Sequence, residues 1–302
     1  MQKKSVYYGG LILVSAIWGL NFGLSRLAMD VFDPVLLAFL RFSLAVPFFF
    51  ILLKMKEKSV GLPLGVLVKL MGIGLVGITL LEIMVLYSIQ YTTLANASLL
   101  NVAPWPIFAA LFAPFITKEK VTARLLIGGA IAMVGVYFII SGGTGFEWSS
   151  KHMVGNLMAL GVSFIGALFN LSCMPLMRTY SALRISTWYI FFGALFMFPL
   201  TLSSWGKVAW ANLGATEYLV VGYNVIFCTV IAFVVWNACM YQVGTARSNF
   251  FRYVVSAVAV LMGYMFFKES VGIWQMVGAV FLVGGLIWIT SERTDNAIAV
   301  KL

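Results

Sequence analysis

Three ionisable side chains interrupt long apolar stretches of this 302-residue chain: Arg41, Glu82 and Arg252. A charge at the centre of a bilayer costs roughly 3 kcal/mol or more, so each must find a partner or line a wet cavity. Arg41 and Glu82 are of opposite sign and can pair. Such a pair has two uses. It can be a buried ion pair that fixes helix register, or Glu82 can carry a proton or meet a substrate amine while Arg41 tunes its pKa. Arg252 stands beside Tyr253. Its guanidinium fork suits a carboxylate or a phosphate, and its length also lets it snorkel towards headgroups. Amides and indoles complete the polar set. Trp18 and Asn21 lie three apart and Asn101 and Trp105 four apart, spacings that put each pair on one helical face. Asn170 and Asn237 are isolated in apolar runs. An unpaired amide in lipid is costly, so these side chains are expected to point inwards, to another helix or to a bound solute.

Other chemistry is missing from the sequence. No GxxxxGKS or GxxxxGKT phosphate loop occurs, so ATP hydrolysis is not expected. The single histidine, His152, falls in a loop, and no metal-ligand cluster or Ser-His-Asp set assembles within the apolar stretches. Cys173, Cys228 and Cys239 lie inside apolar runs without CxxC spacing and read as small buried hydrophobes. No catalytic residue, cofactor or metal is expected.

The elements that must position the polar set follow from composition. Hydrophobic residues make up 62% of the chain and charged residues 10%. Mean hydropathy is +1.00, whereas a soluble domain carries about 25% charged residues. Crossing about 30 Å of hydrocarbon takes roughly 20 apolar helical residues. Apolar segments bounded by charge, Gly or Pro fall near 7–29, 34–53, 66–89, 95–116, 122–141, 153–177, 184–203, 217–242, 246–267 and 271–291. They are apolar on every face, unlike the short alternating segments of a β-barrel. The expected fold is therefore an all-α integral membrane protein with ten transmembrane helices. The first segment lacks a clear cleavage site and reads as an uncleaved helix. Trp148, Trp205 and Trp210 are expected in the outer interfacial belt.

Net charge is +10, but the basic residues sit in short loops rather than in one patch, which points to membrane topology and not to nucleic acid. With a cytoplasmic N-terminus, thirteen basic residues face inwards and four face outwards: Arg26, Lys151, Lys207 and Lys268. That positive-inside bias supports an even number of crossings with both termini cytoplasmic.

The chain also repeats. At an offset of 150 residues, without a gap, Tyr91 matches Tyr241, Ser98 matches Ser248, and Lys118-Glu119-x-Val121 matches Lys268-Glu269-x-Val271. Gly128 and Gly135 likewise match Gly278 and Gly285. The expected division is 1–145 and 146–302, five helices each. Five is odd, so the halves would enter the bilayer in opposite orientations around a central cavity. Inverted halves can expose one central site alternately to each face, which is how transporters work.

Ala95-Asn96-Ala97-Ser98-Leu99-Leu100-x-x-x-Pro104, then Lys118-Glu119 and Gly128 to Gly135, resembles the EamA-type drug/metabolite transporter superfamily. The resemblance covers nearly the whole chain, including Trp18-Gly19, Leu40-Arg41-Phe42, Glu119 and Glu269. It implies ten helices, cytoplasmic termini, a central cavity, and export or exchange of small metabolites such as amino acids. One departure is that Val254 stands where Pro104 stands in the first half, with Arg252-Tyr253 beside it.

The expectation is a secondary transporter of the inner membrane, driven by a proton or counter-substrate gradient. Its solute-binding candidates are Trp18, Asn21, Arg41, Glu82, Asn101, Trp105, Asn170, Asn237, Arg252 and Tyr253, with Glu82 the proton-coupling candidate. The competing readings are broad efflux of drugs or lipophilic cations, an integral-membrane enzyme on lipid substrates, and an assembly subunit.

Overall fold

The structure, a computed structural model, describes residues 2–57, 59–117, 123–143, 145, 148, 150–243, 248 and 251–290. All regular structure among them is helical. The helices are α1 (Gln2–Ala28), α2 (Pro34–Glu57), α3 (Leu64–Gly74), α4 (Leu81–Tyr91), α5 (Leu94–Val102), α6 (Trp105–Thr117) and α7 (Ala123–Ser141). They continue with α8 (Lys151–Met177), α9 (Ala182–Thr201), α10 (Ala215–Tyr223), α11 (Ala232–Val243), α12 (Tyr253–Phe267) and α13 (Ile273–Thr290). A π-helical segment, Leu75–Leu80, joins α3 to α4, and another, Asn224–Ile231, joins α10 to α11. Lys58, the Lys118-Glu119 motif, Gly244-Thr245, Arg247, Arg293 and Lys301 lie outside the described residues.

Local signals explain where helices begin. The Asp33 carboxylate accepts from the Val35 amide at 2.9 Å, just ahead of Pro34 in the first turn of α2. Ser150 and Ser181 cap α8 and α9 by accepting from Met153 N and Arg184 N, each at 3.1 Å. Thr93 caps α5 through the Asn96 amide at 3.2 Å, which confines the α4–α5 hairpin to Thr92-Thr93.

Six helical stretches are long and apolar enough to cross a membrane: Ser5–Ala28, Pro34–Glu57, Leu64–Tyr91, Lys151–Met177, Ala182–Thr201 and Ala215–Met240. Leu126–Ser141, Tyr253–Phe267 and Ile273–Gly285 are shorter apolar helices. The expected fourth span is divided between α5 and α6. Large apolar side chains such as Ile51, Leu219, Leu261 and Val280 are more than half exposed, a surface that suits lipid rather than water. This is a multi-pass membrane protein.

Packing sets the helix directions. Tyr8 stacks on Phe251 at 5.5 Å, and Cβ atoms added at Gly19 and Gly23 would strike Val258 and Met262, so α1 and α12 run parallel. On the other side of α1, Gly10 faces Cys239 and the Trp18 indole donates to the Cys228 carbonyl at 3.0 Å, so α11 runs antiparallel to it. The stripe Gly155, Ala159, Ser163 and Ala167 lets α8 approach the α4–α5 hairpin and α5. A Cβ on Gly155 would lie 2.8 Å from the Thr92 amide, and Ser163 donates to the Leu100 carbonyl at 2.7 Å. α7 and α13 cross antiparallel at glycines. A Cβ on Gly135 would sit 2.6 Å from the Gly278 carbonyl, and one on Gly285 would sit 2.5 Å from the Gly128 carbonyl.

Candidate functional site

The site begins with a broken helix. α5 ends at Val102 and α6 restarts at Trp105, across Ala103-Pro104. Pro104 and Pro106 have no amide hydrogen to continue the ladder, yet proline suits a first turn, and the Phe108 amide donates to the Pro104 carbonyl at 2.9 Å. Asn101 and Trp105 therefore belong to different helices. The expectation that they share one helical face is corrected. In the second half α12 starts at Tyr253 with Arg252 as its cap residue, whose carbonyl accepts from the Val255 amide at 2.9 Å.

Two helix N-termini meet as a result. Gly263, near the far end of α12, lies against Leu94 at the start of α5, while Arg252 at the near end lies on Trp105 at the start of α6. α12 thus runs back alongside α5, and α6 and α12 leave a common level in opposite directions. Each start turns the positive end of its helix to this level, where the Phe108 and Val255 amides are taken by the Pro104 and Arg252 carbonyls and residue 251 is itself helical.

Unsatisfied polar atoms gather at that level. The Arg252 guanidinium carbon sits 4.2 Å from the centroid of the Trp105 ring. The ring itself lies on Gly166 of α8, where a Cβ would come within 2.2 Å of it. Among the described residues the buried side-chain polar atoms without a hydrogen-bond partner are Arg252 Nε, Trp105 Nε1, the Tyr253 hydroxyl, Ser256 Oγ and Ser15 Oγ. Ser256 is one turn after Arg252 on the same face. Ser15 is one turn before Gly19, whose added Cβ would lie 2.7 Å from the Val255 carbonyl, so it faces the start of α12. A buried polar group left unpaired costs about 1–3 kcal/mol, and such clusters are kept where something else satisfies them.

Arg41 and Glu82 form a buried ion pair. Arg41 Nε also donates to the Thr229 hydroxyl at 2.9 Å, which in turn donates to the Asn224 carbonyl at 2.8 Å. Glu82 lies two residues after the first π-helical segment and Thr229 lies within the second, so this chain of contacts ties the two together.

The other candidates are dispersed. Trp18 packs beside Trp236, with ring centroids 5.1 Å apart, and its indole nitrogen is spent on Cys228. Asn21 is buried and accepts from Ser25 at 3.2 Å. Asn101 is buried, its carbonyl accepting from Ser163, and Asn237 is half-buried. Asn170 is exposed, one turn after Gly166 on the face of α8 that meets Trp105. Of the ten candidates, Trp105 and Arg252 touch, and Tyr253 is next to Arg252 in the chain but packs in the same cluster as Leu99 and Leu160. Ser15 and Ser256, also near the start of α12, escape sequence reading because a lone serine in a membrane helix is common. The one clue is their spacing of four from Gly19 and Arg252.

Polar ties close the end of the bundle that carries Arg26. Arg26 pairs with Glu269, whose other oxygen accepts from the Leu94 amide at 2.8 Å. Gln275 donates to Asn96, which donates to Asn156 at 3.1 Å, and Thr92 donates to the same Asn156 oxygen at 2.8 Å. At the opposite end Arg184 bonds Glu57 at 2.8–2.9 Å.

The EamA-like transporter family matches this chain over residues 6–141 and 153–291. An uncharacterized transporter of Bacillus subtilis (strain 168), YetK, is 28% identical over 98% of this chain and 91% of its own length. A probable amino-acid metabolite efflux pump of Salmonella typhimurium is 24% identical over 95% of this chain and 94% of its own. A chain of known crystal structure, 18% identical, superposes with a TM-score of 0.64 over 94% of this chain and 97% of that one, a likeness of fold. With both long stretches of the chain matched to one family of membrane carriers, this protein belongs to the EamA-like transporter family and is a transporter, not an enzyme.

Proposed function

We propose that the protein is a secondary active transporter that exports or exchanges a small metabolite, an amino acid or a related compound, across the cytoplasmic membrane. It does so by alternating access between two inverted five-helix halves, 1–145 and 146–302. The observation that carries this reading is that four of the five buried, unpartnered polar atoms belong to residues at the starts of α6 and α12, where Arg252 lies on Trp105. A solute's polar groups would satisfy them. The inverted arrangement is supported by helix direction, since the expected first and ninth spans run parallel while the fifth and tenth run antiparallel. It is further supported by the π-helical segments, whose first residues are 149 apart and last residues 151 apart, close to the repeat offset. Two stretches of similar length matched to one family agree with it, and a relative's name points towards amino-acid metabolites.

Under this reading the ties between Arg26 and Glu269 and among Thr92, Asn96, Asn156 and Gln275 all join one half to the other at the outer face. They would have to part when the site opens outwards. Proton coupling would need Glu82 to leave Arg41.

The test is thermal unfolding of the purified protein with amino acids, amines, nucleosides, sugars and lipophilic cations, followed by counterflow in proteoliposomes. A ligand at a hundred times its Kd adds about 2.7 kcal/mol of stability, a shift of several degrees. A selective shift and saturable counterflow with amino acids is the expected result. Responses confined to lipophilic cations would establish drug efflux instead.

A further inference from the structure

We infer that the central site selects a carboxylate-bearing anion through Arg252 and, among the described residues, offers no acidic counterpart for a substrate amine, so that a net-anionic solute binds better than its zwitterionic or cationic analogues. This rests on the transporter reading and narrows its substrate class.

Arg252 Nε and Trp105 Nε1 can donate only, and the Tyr253, Ser256 and Ser15 hydroxyls can donate or accept, so the one fixed sign is that of the Arg252 guanidinium. Trp105, Ser256 and Ser15 are each more than nine-tenths buried. Into the same place run the N-termini of α6, 13 residues long, and α12, 15 residues long. Broken helices whose N-termini face a midplane site favour negative charge there.

No carboxylate among the described residues pairs with this cation. Arg252 rests on the face of Trp105, a contact that softens the loss of water without neutralising the charge. The described carboxylates are engaged or distant. Glu82 pairs with Arg41, Glu269 with Arg26, and Glu57 with Arg184. Asp33 caps α2, Asp30 lies in an exposed turn, and Glu217 opens α10. A carboxylate entering the site would therefore meet a guanidinium, two helix dipoles and several donors. An ammonium group would meet the same field with the opposite sign. At the repeat offset of 150 the partner of Arg252 is Val102, so this charge breaks the symmetry of the two halves.

The test uses charge-matched probes on two side chains: N-acetylphenylalanine, phenylalanine and phenylalaninamide, and the same three derivatives of alanine. Affinities are measured by thermal shift on the full chain in detergent. At least one series should bind its anion tenfold or more tighter than its cation, with the zwitterion between. Arg252→Gln should lose at least tenfold for the anion while the ligand-free melting temperature stays level or rises, because a half-buried charge that no described carboxylate pairs has been removed. Arg252→Lys should keep the anion-over-cation order. The inference is overturned if neither series separates anion from cation, or if Arg252→Gln binds the anion as the parent does or melts lower without ligand. Counterflow separates the two readings. Flux of alanine or phenylalanine without charge preference keeps the transporter and removes the anion site, whereas anion binding without flux does the reverse.

Discussion

At the scale of single residues, the intramembrane ion pair is the costliest local feature. Removing one member of a buried pair leaves the other uncompensated, at about 3–5 kcal/mol, while replacing both with apolar residues of similar volume is often neutral. Glu82→Gln is therefore expected to lower the melting temperature strongly, and Arg41→Met with Glu82→Met to recover most of the loss. Thermal unfolding of the two single variants and the double variant measures this coupling, and additive losses would show that the pair is not held as described. A second residue is strained on its own account. Lys268 closes α12 in the left-handed region at φ 53°, where the next amide, Glu269 N, returns to the Gly263 carbonyl at 3.0 Å. A side chain there costs roughly 1–2 kcal/mol. Lys268→Gly is expected to recover about 1 kcal/mol, read as a higher melting temperature.

At the scale of elements, the α7–α13 crossing depends on glycine for a stated reason, the approach of two backbones. Cβ atoms at Gly135 and Gly278 would each stand 2.6 Å from the other's carbonyl oxygen, so neither helix can yield without moving the other. Gly135→Leu or Gly278→Leu is expected to cost about 1–3 kcal/mol by forcing the helices apart. Gly284, one residue before the contact at Gly285, has open space around its Cβ position. Gly284→Ala should instead be neutral, or stabilising by up to about 1 kcal/mol through helix propensity. Comparing these variants by thermal unfolding distinguishes a packing requirement from a general intolerance of side chains in α13.

At the scale of the whole molecule, under the proposed alternating access the ties at the Arg26 end would set the population of the closed state. Each joins a residue before 145 to one after 146. Glu269→Gln removes both the ion pair and the full charge on the acceptor for the Leu94 amide. Combined with Asn96→Ala, it is expected to speed hydrogen exchange at Leu94. It should also raise the labelling of Ser98→Cys by an impermeant maleimide from the outer side, since Ser98 is fully buried in the closed arrangement. Unchanged exchange and labelling would mean that these bonds do not hold the molecule closed.

By itself the sequence determined the solvent, the class and where most of the long apolar helices run along the chain. Apolar runs longer than a bilayer crossing are legible without knowing any partner, because hydration and helix length depend on composition along a short stretch of chain. The apolar segments 34–53, 153–177 and 184–203 were legible as α2, α8 and α9 for the same local reason. The tertiary structure decided who meets whom. Arg26 finds Glu269 across 243 positions and Arg41 finds Thr229 across 188, and hydropathy says nothing about such choices. The break before Trp105 lay within reach of Pro104 and Pro106, but its meeting with the start of α12 did not. That meeting arises because α12 packs antiparallel to α5, a condition set by the backbones that approach at Gly263 and Leu94 and not by any pattern within either helix.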